Sequence, residues 1–486
     1  MLNRIAELEQ EARLLEPLPD QRAQWNGDIQ AYADAFLNSI YDRKAYETSE
    51  DYGRPLRELD VSDTPKPMET LLELLRQHQD AVGLNPASGG HLGYVPGGGV
   101  FPAALGDYLA AVTNRYAGIF FGSPGAVRIE NQLIRWMCDM VGYPEGALGN
   151  LASGGSIANL IAITTARDFK NIRSKEVENA VIYLTPQVHH CVQKALRIAG
   201  LREARIHYVP MDDHFRMDAQ ALRAMVQTDR QQGLNPFLVV ASAGTTDTGA
   251  MDPLDAIADV AEAFQLWFHV DAAYGGFFLL VDALRPLFKG IERSDSVAID
   301  PHKGLFLPYG LGAILIKNVA AAFHSHHYLA NYMQDALKVA EELSPADLSP
   351  ELTKHFRGLR MWLPLHLFGL RPFRAALEEK IWLCRYFYER IQTLGFQVGP
   401  YPDLSIMIYR YVPPSEGDAN AFNERLVEYV QRDGRVFLSS TTIDGIFWIR
   451  LAVLSFRTHR REIDVCLDIL QAGIRAQQES LHRSVL

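Results

Sequence analysis

The chain has 486 residues, 48% of them hydrophobic and 22% charged, which describes an ordinary soluble protein too long for one simple core. Its formal net charge of −11 argues against nucleic acid or an anionic membrane as partner. Four widely scattered cysteines, Cys138, Cys191, Cys384 and Cys466, make no CxxC pair, which fits a reducing compartment and argues against a disulfide framework or thiolate metal site. No run of about twenty apolar residues exists and the N-terminus is charged and amphipathic, so a cytoplasmic protein that spans no membrane is expected.

Residues 1–80 read as helices. Ile5, Leu8, Leu14 and Leu15 share one apolar face, and Tyr32, Phe36, Ile40 and Tyr41 recur at helical spacing. Pro65 and Pro67 interrupt the pattern before residues 68–78 resume it. Residues 88–99, SGGHLGYVPGGG, are too glycine-rich for a regular element and read as a flexible surface loop, except that His91 and Tyr94 are side chains a pure linker does not need. Phe120 and Phe121 follow, and aromatics there serve either core or pocket.

From Asn150 onward, short apolar strands at 180–184, 205–209, 237–242, 266–270 and 297–299 alternate with helical patterns at 156–169, 188–199 and 253–264. That alternation predicts an α/β unit with a mostly parallel sheet flanked by helices. After Trp362 the pattern changes: helices at 373–394, 419–433 and 460–478 enclose strands at 404–411 and 447–453, a small C-terminal α+β domain. The expected domains are an N-terminal helical segment over 1–80, a large α/β domain over 81–365 and a small domain over 366–486.

The chemistry gathers at strand ends. Residues 296–312, SVAIDPHKGLFLPYGLG, run from an apolar strand into His302-Lys303, a place where an α/β enzyme presents reactive groups. Lys303 is either a solvated surface charge or a lysine held for covalent chemistry with a carbonyl. Upstream, the strand in LWFHVDAAYGG delivers Asp271 and then small residues such as Ala273. Asp271 is either a turn residue or a carboxylate aimed at a protonated ring nitrogen, and a strand-end Asp followed by a strand-end Lys suits pyridoxal phosphate. Gly154-Gly155-Ser156 stand before a helical run, where free N–H groups favour an anion or simply cap the helix.

On these motifs the chain resembles the group II pyridoxal-phosphate amino-acid decarboxylases, which include the glutamate and aromatic-amino-acid enzymes. The resemblance runs from about Gly93 to Gly473, and it implies a fold-type I architecture and an obligate homodimer packed through the N-terminal helices. It implies pyridoxal 5′-phosphate as cofactor, with Lys303 forming the Schiff base and Asp271 holding the ring nitrogen. Gly155, Ser156 and His302 would serve the phosphate, His189 of PQVHHCV would stack on the ring, and Thr246 of GTTDTG and Ala273 would line the cofactor. His91, Tyr94, Phe101 and Phe120 would line the substrate pocket, and Arg450 would meet the substrate carboxylate. No metal is expected, because neither His189-His190 nor the cluster His324, His326 and His327 has a carboxylate or thiolate at ligand spacing.

Decarboxylation of an L-amino acid with an aromatic or apolar side chain, giving amine and carbon dioxide, is the expected activity. Two departures stand out. Asp300 replaces the asparagine common before Pro-His-Lys, and residues 341–352 lack the loop tyrosine that decarboxylases of the family use to protonate the product carbon. Pro345 falls near its place, with Tyr328 and Tyr332 further upstream. Relatives without that tyrosine release an aldehyde, ammonia and peroxide instead. That oxidative outcome is the alternative expectation; an aminotransferase or a non-catalytic regulatory homologue fits less of the sequence.

Overall fold

The computed structural model describes residues 1–328, 341–414 and 418–485, with side chains as far as residue 479. Two-residue strands β1 (Tyr46–Glu47) and β2 (Gly83–Leu84) pair with each other near the start of the chain. The large sheet follows, from β3 (Leu148–Ala152), β4 (Ala180–Leu184), β5 (Arg205–Tyr208), β6 (Asn235–Ser242), β7 (Trp267–Asp271), β8 (Ser296–Ile299) and β9 (Gly312–Ile316), in the order β3-β9-β8-β7-β6-β4-β5. Only β9 runs against the others. A second, antiparallel sheet orders β10 (Phe396–Val398), β11 (Ile406–Tyr411), β13 (Ile446–Ala452) and β12 (Ser439–Ile443). This is the mostly parallel α/β architecture, with a small C-terminal α+β unit, that the strand–helix alternation predicts.

The apolar strands are short and continuous because helices cover both faces of the sheet. Every residue of β4, β7, β8 and β9 is buried. Besides the short pair β1 and β2, strands β3 and β9 of the large sheet and β10 and β12 of the small one lie outside the sequence expectation. In β3 the residues are LGNLA, with no β-branched side chain to advertise a strand, and Gly149 is there because a Cβ would strike the carbonyl oxygen of Ile314 on β9. The small sheet has its own core, built around Phe387, Tyr409, Phe422, Leu451 and Leu470.

Two other expectations change. The helix Pro19–Asn38 ends before Ile40 and Tyr41, which therefore do not continue its face. Neither that helix nor Leu2–Ala12 buries a single residue within the chain, and Ile5, Leu8, Leu14, Leu15 and Leu18 stand exposed. Residues 88–99 are not a flexible surface loop but a largely buried strap. Leu92 N–H donates to Phe437 O and Leu92 O accepts from Ala452 N, both on the small unit, while Val100 N–H donates to Phe306 O on the large one. Gly97 packs directly on the carbonyl oxygen of His302, and Gly98 has φ +92°, so side chains are excluded by space and by backbone conformation.

Candidate active site

The register of the large sheet brings the strand ends level. Ser242 pairs with Asp271, Asp271 with Ala298, Ile299 with Ala313, and Ala152 with Gly312. The segments leaving this edge enclose a cavity of about 350 Å³ lined by Gly154, Gly155, Ser156, His189, Thr246, Asp271, Ala273, His302 and Lys303. All eight residues expected to bind the cofactor are in that set. The edge is where open α/β sheets place ligands.

At one end the helix Gly155–Phe169 opens with its free N–H groups toward the cavity, the electropositive end of its dipole. A Cβ on Gly155 would lie 3.0 Å from Asp300 Oδ2 and 3.3 Å from the Ala273 side chain, so the cradle holds its shape only with glycine. At the other end Asp271, 8% exposed, accepts from Ala273 N–H at 3.1 Å and from Asn159 Nδ2 at 3.3 Å.

Lys303 Nζ lies 2.9 Å from Asp300 Oδ2. Burial opposes its charge, but Asp300 and, more weakly, Asp271 outweigh this and hold its pKa above the ordinary lysine value. His302 donates from Nδ1 to Leu311 O at 2.6 Å, which leaves Nε2 for the cavity, and burial lowers its pKa. His189 caps its helix by accepting from Cys191 N–H at Nδ1, 3.3 Å away, so the neutral ring carries its proton on Nε2. Burial depresses its pKa; Asp271 works against that, while His190, its ring tilted by 42° at 4.1 Å between centroids, and Lys303 add to it.

The residues expected to bind substrate do not line this cavity in the single chain. His91 is 1% exposed, enclosed by Phe437 and Tyr94, with Nδ1 lacking a hydrogen-bond partner. Phe120 is buried with its ring under Arg128, whereas Tyr94, Phe101 and Phe121 are exposed. Arg450 is buried, and each of its three nitrogens is engaged: with Asp247 O at 3.1 Å, Ser439 Oγ at 2.7 Å, and Thr246 O. It fastens the Thr-rich loop of the cavity to the small sheet. His326 and His327 turn to Thr164 and to Asp347 respectively. Pro345 is buried in a short turn, Pro345–Leu348, whose first carbonyl accepts from Asn150 Nδ2 at 2.7 Å. Tyr328 is 86% exposed, and Tyr332 lies outside the described residues.

Sequence reasoning missed the buried polar residues behind the site. Asp252 accepts from the Ser242 and Met217 N–H groups, both at 2.7 Å, at the base of the 242–251 loop, and burial pushes its pKa up to about 6. Asn159 and His269 stand behind Asp271. Gln187 lines the cavity with Oε1 unpartnered, and Asp300 Oδ1 is likewise unpartnered. A polar cavity with such orphaned atoms is built to receive a polar group.

A lysine, a carboxylate and a helix N-terminus around one cavity at the end of a parallel sheet define a fold-type I pyridoxal phosphate site. The family model for the pyridoxal-dependent decarboxylase conserved domain matches residues 51–410. The chain is 34% identical over 377 residues to the aromatic-L-amino-acid decarboxylase of Bacillus atrophaeus, covering 76% of this chain and 78% of that one. It is 26% identical to the phenylacetaldehyde synthase of Petunia hybrida, covering 84% and 85%. The crystal structure of Oryza sativa TDC with PLP and tryptamine superposes with a TM-score of 0.89 at 22% identity, covering 95% of this chain and 99% of that one. The chain belongs to the pyridoxal-dependent decarboxylases, in the aromatic-amino-acid group, and is an enzyme that uses pyridoxal phosphate.

Proposed function

We propose that the enzyme decarboxylates an L-amino acid with an aromatic or apolar side chain to the amine and carbon dioxide, as a cytoplasmic homodimer. The observation that carries this reading is the placement of Lys303, Asp271 and the N-terminus of helix Gly155–Phe169 around one cavity. Aromatic substrate class follows the aromatic-L-amino-acid decarboxylase relative and the aromatic rings of Tyr94, Phe101 and Phe121, exposed on the single chain. The exposed apolar faces of the first two helices supply a surface for a second copy, and the four buried free cysteines fit a reducing compartment. Among the described residues no helix is long and apolar enough to cross a membrane. The domain limits near residues 80 and 365 stand as part of the same proposal.

When bound, pyridoxal phosphate supplies an electron-accepting ring that takes up the electron pair of the breaking bond to the substrate carboxylate. Lys303 would hold it covalently and later release the product. Gly155, Ser156 and His302 would hold its phosphate, while Thr246 and Ala273, which line the cavity, would border its ring. Asp271 would face the ring nitrogen, keeping a compensating negative charge beside it. His189, with Nε2–H free, would donate to the substrate carboxylate and orient it. Arg450 acts at one remove, by fixing the carbonyl groups of Thr246 and Asp247.

A second reading, oxidative release of an aldehyde with ammonia and peroxide, draws on the lack of tyrosine in residues 341–352 and on the aldehyde synthase relative. Aerobic incubation with the twenty amino acids and dihydroxyphenylalanine, scored for amine, aldehyde and peroxide, separates the two. One dominant amine supports the proposal; an aldehyde with matching peroxide replaces it with the second reading. Neither product, with the cofactor bound, overturns the proposed substrate class.

A further inference from the structure

Behind Asp271 a line of buried polar side chains runs away from the cavity, from the helix Gly155–Phe169 along one face of β7 to the first residue of β8. Asn159 Nδ2 contacts three acceptors, Gly155 O at 2.9 Å, Asp271 Oδ2 at 3.3 Å and Cys191 Sγ at 3.7 Å. That end of the amide must therefore be the NH₂, and the other end the carbonyl oxygen. Asn159 Oδ1 in turn lies 2.9 Å from His269 Nε2, so His269 carries a proton on Nε2. The other ring nitrogen, Nδ1, stands 2.8 Å from Ser296 Oγ, and Ser296 Oγ accepts from Trp267 Nε1–H at 2.9 Å. A tryptophan N–H only donates, so the Ser296 hydroxyl proton is left to point at Nδ1.

The donors thus share one sense: Trp267 to Ser296, Ser296 to His269, His269 to Asn159, and Asn159 to Asp271. Asn159, His269 and Ser296 are fully buried and Trp267 is 1% exposed, so the line is sealed from water. His269 is neutral here, because burial depresses its pKa to about 4. The Ser296 carbonyl oxygen also lies 3.2 Å from Nδ1; it is a partner only for a ring protonated at that atom.

We infer that Asn159, His269, Ser296 and Trp267 form a one-way hydrogen-bond relay that positions Asp271 against the cofactor ring. Asn159 fixes the carboxylate plane through Oδ2, and Ala273 N–H fixes Oδ1. The three residues behind fix Asn159, because an amide that flipped would present its oxygen to Asp271 and its NH₂ to the Nε2–H of His269. Aligned dipoles in a dry interior reinforce one another, so the positive end of the whole line falls on Asp271. His269, Ser296 and Trp267 touch neither substrate nor cofactor in this arrangement and are positioning residues, as is Asn159. The inference rests on Asp271 being the partner of the ring nitrogen.

The test has two arms. In the cofactor-free wild-type chain, nitrogen-15 shifts of labelled histidine read the tautomer directly, and His269 is expected neutral with its proton on Nε2. A ring protonated on Nδ1, alone or as imidazolium, overturns the relay. In the second arm, pyridoxal phosphate is titrated into wild type, His269→Phe, His269→Gln and Ser296→Ala, following fluorescence quenching and the visible absorption band. His269→Phe is expected to bind roughly tenfold more weakly, by analogy with outer residues of ligand sites, with an altered band. Ser296→Ala loses less, and His269→Gln recovers most of the affinity, because its amide can donate to Asn159 and accept from Ser296. Wild-type affinity and an unchanged band in His269→Phe overturn the relay while leaving the cofactor site intact. Failure of the wild type itself to bind overturns the site reading and the relay's purpose with it.

Discussion

Asp300 Oδ2 and Lys303 Nζ are 2.9 Å apart across a single turn of chain, so the lysine facing the cavity is ion-paired within its own segment. The carboxylate is 1% exposed, and His302 Nε2, 3.8 Å away on a ring that burial keeps from charging, leaves Lys303 as its cationic partner among the described residues. Lys303 must give up its proton to attack a carbonyl, and Asp300 opposes that loss.

Replacing Asp300 with Asn therefore lowers the pKa of Lys303, since burial then acts against only the weaker pulls of Asp271 and Cys191. Covalent capture of pyridoxal phosphate by the apo-enzyme is expected to reach lower pH, by about one unit or more. Stopped-flow growth of the visible band across a pH series reads this. An unshifted profile would show that Asp300 does not control the lysine.

Lys303→Ala removes both the proposed attachment point and the partner of a buried carboxylate. Activity is expected to fall by roughly a thousandfold or more. Stability falls too, by about 2 kcal/mol once the lysine's partial exposure is allowed for. Adding Asp300→Asn to Lys303→Ala recovers part of that stability without recovering activity. Urea unfolding of the single and double variants measures the coupling.

His91 is buried neutral, its pKa depressed by burial to about 4. Between that value and the ordinary value near 6.5 the unfolded chain binds more protons, so His91 costs stability as pH falls through this window. Its share of the loss from pH 7 to pH 5 is about 2 kcal/mol. Asp252, with pKa raised to about 6, acts oppositely: the folded state binds more protons above the ordinary carboxylate range, so that group favours folding as pH falls. His91→Phe is expected to fold, to lose the orphaned Nδ1, and to flatten the fall of the unfolding midpoint between pH 7 and pH 5. The same slope as wild type would place the acid sensitivity elsewhere.

Arg450→Met leaves the carbonyls of Thr246 and Asp247 without this donor, and the Ser439 hydroxyl with only the long bond from Tyr94 N–H. About 3 kcal/mol of stability is expected to go, with weaker cofactor binding and a lower kcat. A variant that raised KM alone, with stability and cofactor affinity intact, would instead place Arg450 on the substrate.

Much of this site is legible in the sequence because residues that line the cavity sit at the ends of apolar runs. Asp271, Lys303 and Thr246 each follow such a run, and Gly155-Ser156 open a helical pattern. Strand β3 was not legible, because Gly149 answers to the backbone of a strand more than 160 positions away in sequence rather than to its neighbours. β12, SSTTI, has four hydroxyl residues and a single apolar one, so it lacks the apolar run that marks the expected strands. Asn159, His269 and Ser296 are each unremarkable in sequence, and only the register of β7 against β8 sets the last two side by side. The strap 88–99 misleads for a related reason: glycine marks close approach there, not freedom. Tyr94 and Phe101 cannot be judged from local pattern at all, since what surrounds an exposed aromatic on one chain is decided by whatever that chain meets.

The strap has a further consequence for motion. Its backbone is tied to Phe437 and Ala452 on one side and to Phe306, three residues past Lys303, on the other. Opening the small unit therefore draws on the segment that carries the lysine, and the two move as one lever. The amides of Leu92, Phe437, Ala452 and Val100 belong to one cooperative unit, expected to exchange with solvent deuterium together and slowly. A chain nicked within residues 88–99 would keep the ties that Arg450 and Tyr274 make between the two units but weaken the one that also reaches the Lys303 segment.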